Sequence, residues 1–568
     1  MKNSILIVNA QDIPAALLIA KDLENYQSYV FDPTLLDKAI DAGLINCEYI
    51  VWENAINYSD LHDECRHTAF EIEQKLNDCV HELVPEVSVK SWQHLNFYYI
   101  LQAIRWYTQL WIEVLPSFKQ DKVHVFFCDA PAQYYFASYI PALLSMQVLN
   151  KLGIEFKGYS YPKPQDWTSA DANLVPDLRP VLTESSCIDV LTHIPTCFYD
   201  FNYFSQELIA SGKKIVNLQA KYVDIPIAAH TSIGLSADEE MLVYLPDTVK
   251  KQVEAFFNRL VDDLDSILIP YITASAYRIR QTTHIASLYK AQLVTYHLLE
   301  ARFKSDKPKK ILLSDHDAGF HGPIITFAEK HSIPILMVAH AKTSQDIEFS
   351  YSGITSFNHP IQGGAILNAK GIRVNSFKLN YPEKFSTFSQ IKTPIRKISL
   401  LLNGLALNGV IVTNYNDYIT GIRKIIEWCE QHDIELIIRN RPGGTILNLL
   451  GKNFNLNKDD LKVKTDGPLS KFIEQDLDLC LMYGAPTSGS IEFLNRSIPL
   501  LNPITQAFCS KEEQSVNGDI VPRDTVKKIL ELLDLFINDE TSLQDFKMKQ
   551  FISYINQFKE AQHLRNFL

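Results

Sequence analysis

At 568 residues the chain is far longer than the roughly 250 to 300 residues at which one core stops growing, so at least two domains are expected and a single small module is excluded. Hydrophobic residues make up 46% and charged ones 21%, at a mean hydropathy of -0.07, which offsets folding entropy and excludes wholesale disorder. Sixty-six acidic against 54 basic residues leave a net charge of -12, which disfavours non-specific binding along a nucleic-acid backbone while leaving room for a local basic groove.

The chain opens with an apolar strand, SILIVNA (residues 4–10), and a helix from PAALLIAKDL. Its apolar run is shorter than the h-region of a signal peptide, so no leader is expected. A helical region at about 60 to 115 carries Trp92, Phe97, Tyr98, Tyr99, Trp106, Tyr107 and Trp111, which predicts a wide buried face rather than a ligand surface. Strands follow at KVHVFF (122–127), IEFKGYS (154–160), CIDVLTHI (187–194) and KKIVNLQ (213–219), before a second helical region at about 235 to 305. KKILLSD (309–315) and IPILMVA (333–339) are further strands of this first block. Short β-branched runs alternating with amphipathic stretches predict an α/β fold of parallel strands joined by crossover helices.

The polar, proline-containing stretch YPEKFSTFSQIKTPIRK (381–397) marks a boundary, which places an N-terminal domain over 1–385. A second domain is expected over 396–523, with strands at KISLLLN (397–403), IELIIRN (434–440), LKVKTD (461–466), LDLCLMY (477–483) and SIPLLNP (497–503). Residues 524–568 show helical periodicity and are expected to pack back on the N-terminal domain, with KMKQFISYINQFKEAQHLR as a candidate membrane contact. The nine cysteines are scattered with no C-x-x-C pair, which fits a reducing cytoplasm better than a disulfide framework or a zinc site. No segment offers the roughly 18 uncharged apolar residues of a membrane span.

Five positions in the first block carry chemistry. Asp315, His316, Asp317 and His321 follow one strand, and His340 follows the next. Carboxylates and imidazoles at the carboxyl end of a parallel strand suit general acid/base or nucleophilic work. Two other readings stay open: a mononuclear metal site, and a helix start that Asp317 caps.

Three segments stand out in the second block. LLLNGLALNG (400–409) is a strand running into a turn with Asn403 and glycines, where backbone N–H groups can approach a phosphate. In ELIIRNRPGG (435–444) a strand ends in two arginines, Arg439 and Arg441, which suit either a surface turn with solvated side chains or a site that holds a phosphate or carboxylate by two parallel hydrogen bonds. In LDLCLMYGAPTSGSIEFLNR (477–496) a strand ends at Tyr483 and a hydroxyl-rich loop leads into a helix carrying Glu492. Thr487, Ser488 and Ser490 with the helix's first N–H groups make an anion site, while Glu492 suits either that site or a capping interaction.

In this order the segments resemble the C-terminal domain of GT-B glycosyltransferases that build bacterial capsule and lipopolysaccharide. Arg439, Asn440, Arg441, Pro442 and Gly443 take the place of that group's Arg-x-His-Pro-Gly-like motif, with Arg441 where histidine is usual. Thr487, Ser488, Ser490 and Glu492 take the place of its Ser/Thr-rich loop and helix. His340 and Ala341 stand where the family has a strand ending in His-Gly, and 350–382 matches the usual continuation. The resemblance covers roughly 310–505.

It implies two Rossmann-like domains with a nucleotide-sugar cleft between them, the N-terminal one enlarged by helical insertions. Pairing a basic-Pro motif with a Ser/Thr-rich motif is similar to CMP-sugar-dependent transferases, those of Kdo and sialic acid. It implies donor binding by Asn403, Arg439, Arg441, Tyr483, Thr487, Ser488, Ser490 and Glu492, and no required metal, because protein donors can stabilise a monophosphate leaving group. The Asp/His cluster is similar to that of retaining β-Kdo transferases. It implies Asp317, or Asp315, as nucleophile or base, with His316 and His340 binding acceptor or donor beside it and His321 at the acceptor. The expected partners are a nucleotide sugar and a glycan or glycolipid acceptor, reached in the cytoplasm or at the inner face of the membrane, and no nucleic acid. A UDP-sugar-dependent hexosyltransferase, a nucleotide-sugar 2-epimerase and a non-catalytic glycan-binding scaffold are the alternatives.

Overall fold

The computed structural model describes residues 2–52, 58–90, 92–128, 140–162, 188–194, 201–220, 231–235, 242, 245–271, 275–314, 321–338, 347–349, 351–361, 366–368, 375–380, 385, 394–403, 405–407, 410–411, 414–441, 445–474, 476–484, 489–504 and 520–568. The chain divides into two units. One comprises 1–64, 99–163 and 383–556, and the other 65–98, 164–382 and 557–568.

The N-terminal elements are β1 (Asn3–Ile7), α1 (Asp12–Lys21), β2 (Tyr26–Val30), α2 (Pro33–Asp41), β3 (Cys47–Tyr49), α3 (Tyr58–Val80), α4 (His94–Val114), β4 (Lys122–Cys128), α5 (Ile140–Leu152) and β5 (Phe156–Tyr161). Their strands form a parallel sheet in the order β3-β2-β1-β4-β5. The apolar run Ile5-Leu6-Ile7 is wholly buried, as a central parallel strand requires. Asp32 starts α2 by accepting the Thr34 N–H at 2.8 Å, with Pro33 at the first helical position, where its fixed φ suits the helix.

The next elements are β6 (Val190–His193), α6 (Phe201–Ser211), β7 (Ile215–Ala220), β8 (Thr231–Leu235), α7 (Asp247–Leu268), α8 (Ser275–Phe303), β9 (Lys310–Ser314), α9 (His321–His331), β10 (Ile335–Val338), β11 (Ile347–Phe349), β12 (Ile354–Asn358), β13 (Ile366–Asn368) and β14 (Asn375–Lys378). Seven strands make a parallel sheet in the order β14-β12-β10-β9-β6-β7-β8, and β11 pairs with β13 alone. The aromatic stretch is core, as expected. Trp92, Trp106 and Trp111 are each at most 2% exposed, and the Trp92 indole N–H donates to Thr326 Oγ1 at 3.0 Å.

The C-terminal elements are β15 (Lys397–Leu402), β16 (Ala406–Leu407), β17 (Val410–Ile411), α10 (Tyr415–Gln431), β18 (Glu435–Asn440), α11 (Leu447–Phe454), α12 (Lys458–Asp466), α13 (Leu469–Ile473), β19 (Leu479–Tyr483), α14 (Gly489–Asn495), β20 (Leu500–Ile504), β21 (Arg523–Thr525), α15 (Val526–Asn538) and α16 (Glu540–Asn556). The sheet order is β18-β15-β19-β20-β21, parallel throughout.

The α/β class, built on Rossmann-like parallel sheets with helices, is as expected. Residues 1–385, read as a single domain, hold two such sheets, so the N-terminal sheet is additional to the two that were anticipated. The segment LKVKTD, expected as a strand, is the second half of α12. Asn457 caps that helix by accepting the Asp459 and Asp460 N–H groups, at 2.9 and 3.3 Å. Leu461 and Thr465, one helical turn apart, are buried, whereas Val463, which a strand would align with Leu461, is 76% exposed.

The C-terminal helices pack on the C-terminal sheet. The Gln550 amide bonds the Leu500 N–H at 2.9 Å and the Leu500 carbonyl at 2.8 Å, and the Tyr554 hydroxyl donates to Asn495 at 2.6 Å. Only the last dozen residues join the seven-stranded sheet, where Leu564 and Leu568 enter its core beside Val190, Leu336 and Phe357. Lys547, Gln550, Phe551 and Tyr554, part of the segment expected to touch a membrane, are therefore buried inside the fold. Among the described residues no helix is long and apolar enough to cross a membrane.

Candidate functional site

In the seven-stranded sheet β6, β7 and β8 run to one side and β9, β10, β12 and β14 to the other. The carboxyl ends of β6 and β9 thus flank the point where winding reverses, which is where open α/β sheets bind ligands. His193 is the last residue of β6 and is wholly buried. Its Nδ1 lies 2.9 Å from the Leu218 carbonyl, which can only accept, so Nδ1 carries the proton there. His321 is the first residue of α9, 1% exposed, and its ring meets that of His193 edge to face, with centroids 5.8 Å apart.

The position of His321 is set by the residue after it. A Cβ on Gly322 would lie 2.4 Å from Cδ1 of Trp92, so the first turn of α9 packs directly on that indole. His321, expected at the acceptor, is thereby a buried member of the switch-point pair. Asp315, His316 and Asp317 directly follow β9, and His340 follows β10 by two residues. All four lie outside the described residues. His193 was not anticipated, although a polar residue closing an otherwise apolar strand, VLTH, is a signal the sequence offers.

In the C-terminal sheet β18 lies to one side of β15, and β19, β20 and β21 to the other, so the switch point falls between the carboxyl ends of β15 and β19. Asn403 follows β15 and is 7% exposed. Its N–H donates to the Tyr483 carbonyl at 3.1 Å, and its carbonyl accepts the Tyr418 hydroxyl at 2.8 Å. At the end of β19, Gly484 has φ +98°, a left-handed conformation that favours glycine. Asn502 holds this turn, its amide donating to the carbonyls of Met482 and, at 2.8 Å, Gly484.

Two of the expected donor-binding residues are buried and hydrogen-bonded within the fold. Arg439 is 5% exposed, and its guanidinium donates to the carbonyls of Lys464 and Gly467, both at 2.6 Å, while lying 5.3 Å from the centroid of the Phe472 ring. Burial holds that guanidinium below its usual pKa, a cost tolerated because α12 and α13 present carbonyls and a ring face to it. Tyr483 is wholly buried and points at α10, where its hydroxyl donates to the Tyr418 carbonyl at 3.0 Å. A Cβ on Gly421 would sit 2.0 Å from that hydroxyl, so glycine there is what admits the ring.

Next to Arg439 the strand alternates. Asn440 is 2% exposed, and its Oδ1 accepts the Arg441 N–H at 2.9 Å. That bond fixes the orientation of the amide, because a flipped amide would set NH2 against N–H. Its Nδ2 has no hydrogen-bond partner among the described residues. Arg441 itself is exposed. A buried amide with unspent donors beside an exposed guanidinium, at a strand's carboxyl end, is suited to an anionic or carbonyl-bearing ligand. Ser490 is buried in α14, Glu492 is half-buried in its first turn, and Thr487 and Ser488 lie outside the described residues.

The N-terminal sheet has a comparable point between β1 and β4. Asp12 is wholly buried there, accepting the Val8 and Asn9 N–H groups at 3.0 and 2.9 Å and the Tyr161 hydroxyl at 2.8 Å. Burial pushes its carboxyl up to about 7. Its acceptors are spent on the β1–α1 turn, so it ties β5 to that turn. Among the described residues no group of His, Cys, Asp and Glu could hold a metal ion.

No family model matches the chain, and no curated protein matches it. Among solved structures it is similar to the glycosyltransferase SnogD from Streptomyces nogalater, at 11% identity and TM-score 0.33, covering 67% of this chain and 98% of that one. It is similar to MurG of Acinetobacter baumannii, at 10% identity and TM-score 0.33, covering 66% of this chain and 96% of that one. UDP-GlcNAc 2-epimerase from Neisseria meningitidis, bound to UDP-GlcNAc, is similar at 10% identity and TM-score 0.29, with coverages of 65% and 99%. Likeness at this level leaves function to be argued from the residues.

Proposed function

We propose that the chain is a glycosyltransferase of the GT-B class, moving Kdo or another acidic sugar from its CMP donor onto a growing bacterial surface polysaccharide or lipopolysaccharide. The observation that carries this reading is the pair at the end of β18. The Asn440 Nδ2 is buried without a partner among the described residues, and the exposed Arg441 follows it. In this role Arg441 and Asn440 donate to the leaving phosphate, with Asn403, Ser490 and Glu492, and Thr487 and Ser488, completing the donor site.

The leaving group of a CMP-sugar is a nucleoside monophosphate. The bond from the anomeric carbon to the phosphate oxygen breaks with its electron pair passing to CMP, and fixed protein donors suffice to stabilise that charge without a divalent metal. An acceptor hydroxyl supplies the new C–O bond. Asp317, or Asp315, takes the hydroxyl's proton in an inverting route or attacks the anomeric carbon first in a retaining one, and product stereochemistry separates the two. His316 and His340 act beside that carboxylate on acceptor or donor. His193 and His321, which meet at the end of β6 and the start of α9, position that carboxylate in this role.

Incubation with CMP-Kdo, CMP-sialic acid and UDP-hexoses, with and without EDTA, tests the reading. It requires CMP release from an acidic-sugar donor that survives EDTA and falls in Asp317→Asn. Turnover of UDP-sugars alone would replace it with a hexosyltransferase or, in the absence of acceptor, an epimerase. No turnover of any donor would leave a non-catalytic scaffold.

A further inference from the structure

Helix α11 begins six residues after Arg441 in sequence, and its own sequence gives it no cap. The residue at its N-cap is Ile446, which has no side-chain acceptor. Capping normally comes from an Asp, Asn, Ser or Thr at that position, and the first N–H groups are otherwise left unsatisfied. Here the acceptor comes from the far end of the chain. The carboxylate of Asp37, on α2, accepts the Leu447 N–H at 2.6 Å, the Asn448 N–H at 2.9 Å and the Asn448 side-chain amide at 2.7 Å. Asp37 is 3% exposed, so these bonds are made out of water, and its negative charge faces the positive end of the helix dipole.

A second thread joins the same elements. The Tyr49 ring, at the end of β3, lies 5.2 Å from the Tyr415 ring at the start of α10. The Tyr415 hydroxyl in turn accepts the Asn453 amide of α11 at 3.0 Å. The N-terminal elements thus reach α11 at its first turn, from α2 by Asp37, and near its end, from β3 by way of Tyr49 and Tyr415.

We propose that Asp37 is a positioning residue for Arg441. Its carboxylate, on α2, fixes the start of α11, six residues along the chain from Arg441. The inference rests on the donor-site reading above and adds a constraint to it. Because the first amides of α11 are already spent on Asp37, the donor's phosphate is not bound at that helix end and depends on Arg441 and Asn440. The described residues on either side are held, Arg441 by the Asn440 Oδ1 on its N–H and Leu447 and Asn448 by Asp37.

Amide hydrogen exchange and nucleotide calorimetry on the full chain, comparing wild type with Asp37→Asn and Asp37→Ala, test it. In the ligand-free protein, Asp37→Ala is expected to lower protection at Leu447 and Asn448 by roughly tenfold or more, and locally, with Asp37→Asn intermediate because one acceptor oxygen remains. CMP affinity, measured well below the unfolding transition, is expected to weaken about tenfold in Asp37→Ala and to recover partly in Asp37→Asn. A purely structural role would lower the unfolding midpoint and leave the affinity of the folded protein unchanged. Unchanged protection at 447–448, protection lost evenly over residues 383–556, or unchanged CMP affinity would each overturn the proposal. If wild type binds no nucleotide, the donor-site reading falls, and the exchange arm decides alone whether Asp37 holds the start of α11.

Discussion

The imidazoles of His193 and His321 meet edge to face, 5.8 Å between centroids, at the carboxyl ends of the two strands where the seven-stranded sheet reverses its winding. One comes from a strand's last residue and the other from a helix's first, and both are buried. The Asp-His-Asp segment leaves the sheet between them in sequence, directly after β9.

This pair should act through position. His193→Phe keeps a ring against His321 and gives up the bond to the Leu218 carbonyl, at a cost of about 1 kcal/mol of stability. Turnover should fall about a hundredfold, the effect of a reacting group displaced by roughly 1 Å. Urea unfolding and kcat at saturating donor check the two effects separately. A loss of stability with unchanged turnover would leave the pair as packing alone.

Arg439 and Arg441 should separate cleanly. Arg439→Met removes two hydrogen bonds from a buried guanidinium to the Lys464 and Gly467 carbonyls and should destabilise the fold by about 2 to 3 kcal/mol. Arg441→Ala, at an exposed position, should stay within about 0.5 kcal/mol of wild type and weaken nucleotide binding about tenfold. Denaturant melts with parallel calorimetry read both, and the reverse assignment of effects would contradict the structural role given to Arg439.

Asn440→Asp retains the acceptor for the Arg441 N–H and replaces the Nδ2 donors, which have no partner among the described residues, with a carboxylate oxygen. An anionic ligand should then bind at least about tenfold more weakly than to wild type. Titration calorimetry of the two proteins with CMP is the check, and equal affinity would remove the Asn440 amide from the site.

Asp12 should leave a mark on the pH dependence of stability. Burial raises its carboxyl from the usual 3.8 to about 7. The folded state therefore binds that proton more tightly than the unfolded chain, and the group's contribution is fully present below about pH 4 and is lost as pH rises towards about 7. Asp12→Asn keeps an oxygen for the Val8 and Asn9 N–H groups and turns its amide to Tyr161. The variant should lose that stretch of the dependence and gain on wild type at pH 8. Chemical denaturation at pH 5 and pH 8 gives the difference, which should vanish if Asp12 titrates normally.

Central strands were legible because burial on both faces demands continuous apolar runs. KILLS, ILMV and KISLLL declare themselves in that way. β2, YQSYV, is half-buried and polar and did not stand out. The α12 segment imitated a strand, since L-K-V-K alternates over too few residues for the helical period to show, and the Asn457 cap was the signal that decided it. Arg439 and Asn440 illustrate the limit at the site. A strand end marks the crevice, but which of two adjacent residues faces it depends on which side the neighbouring helices fill, and on the side of Arg439 α12 and its C-cap supply carbonyls and α13 a ring face. The cap of α11 was illegible for a different reason, because its acceptor, Asp37, lies at the opposite end of the sequence.

The central claim is that the C-terminal sheet holds a CMP-activated donor without a metal. Titration calorimetry of CMP, UDP, GDP and ADP into the purified protein, with and without Mg²⁺, tests it most directly. The account predicts preferential binding of CMP, unchanged by Mg²⁺ and weakened in Arg441→Ala. Preference for UDP, dependence on Mg²⁺ or absence of nucleotide binding would contradict it.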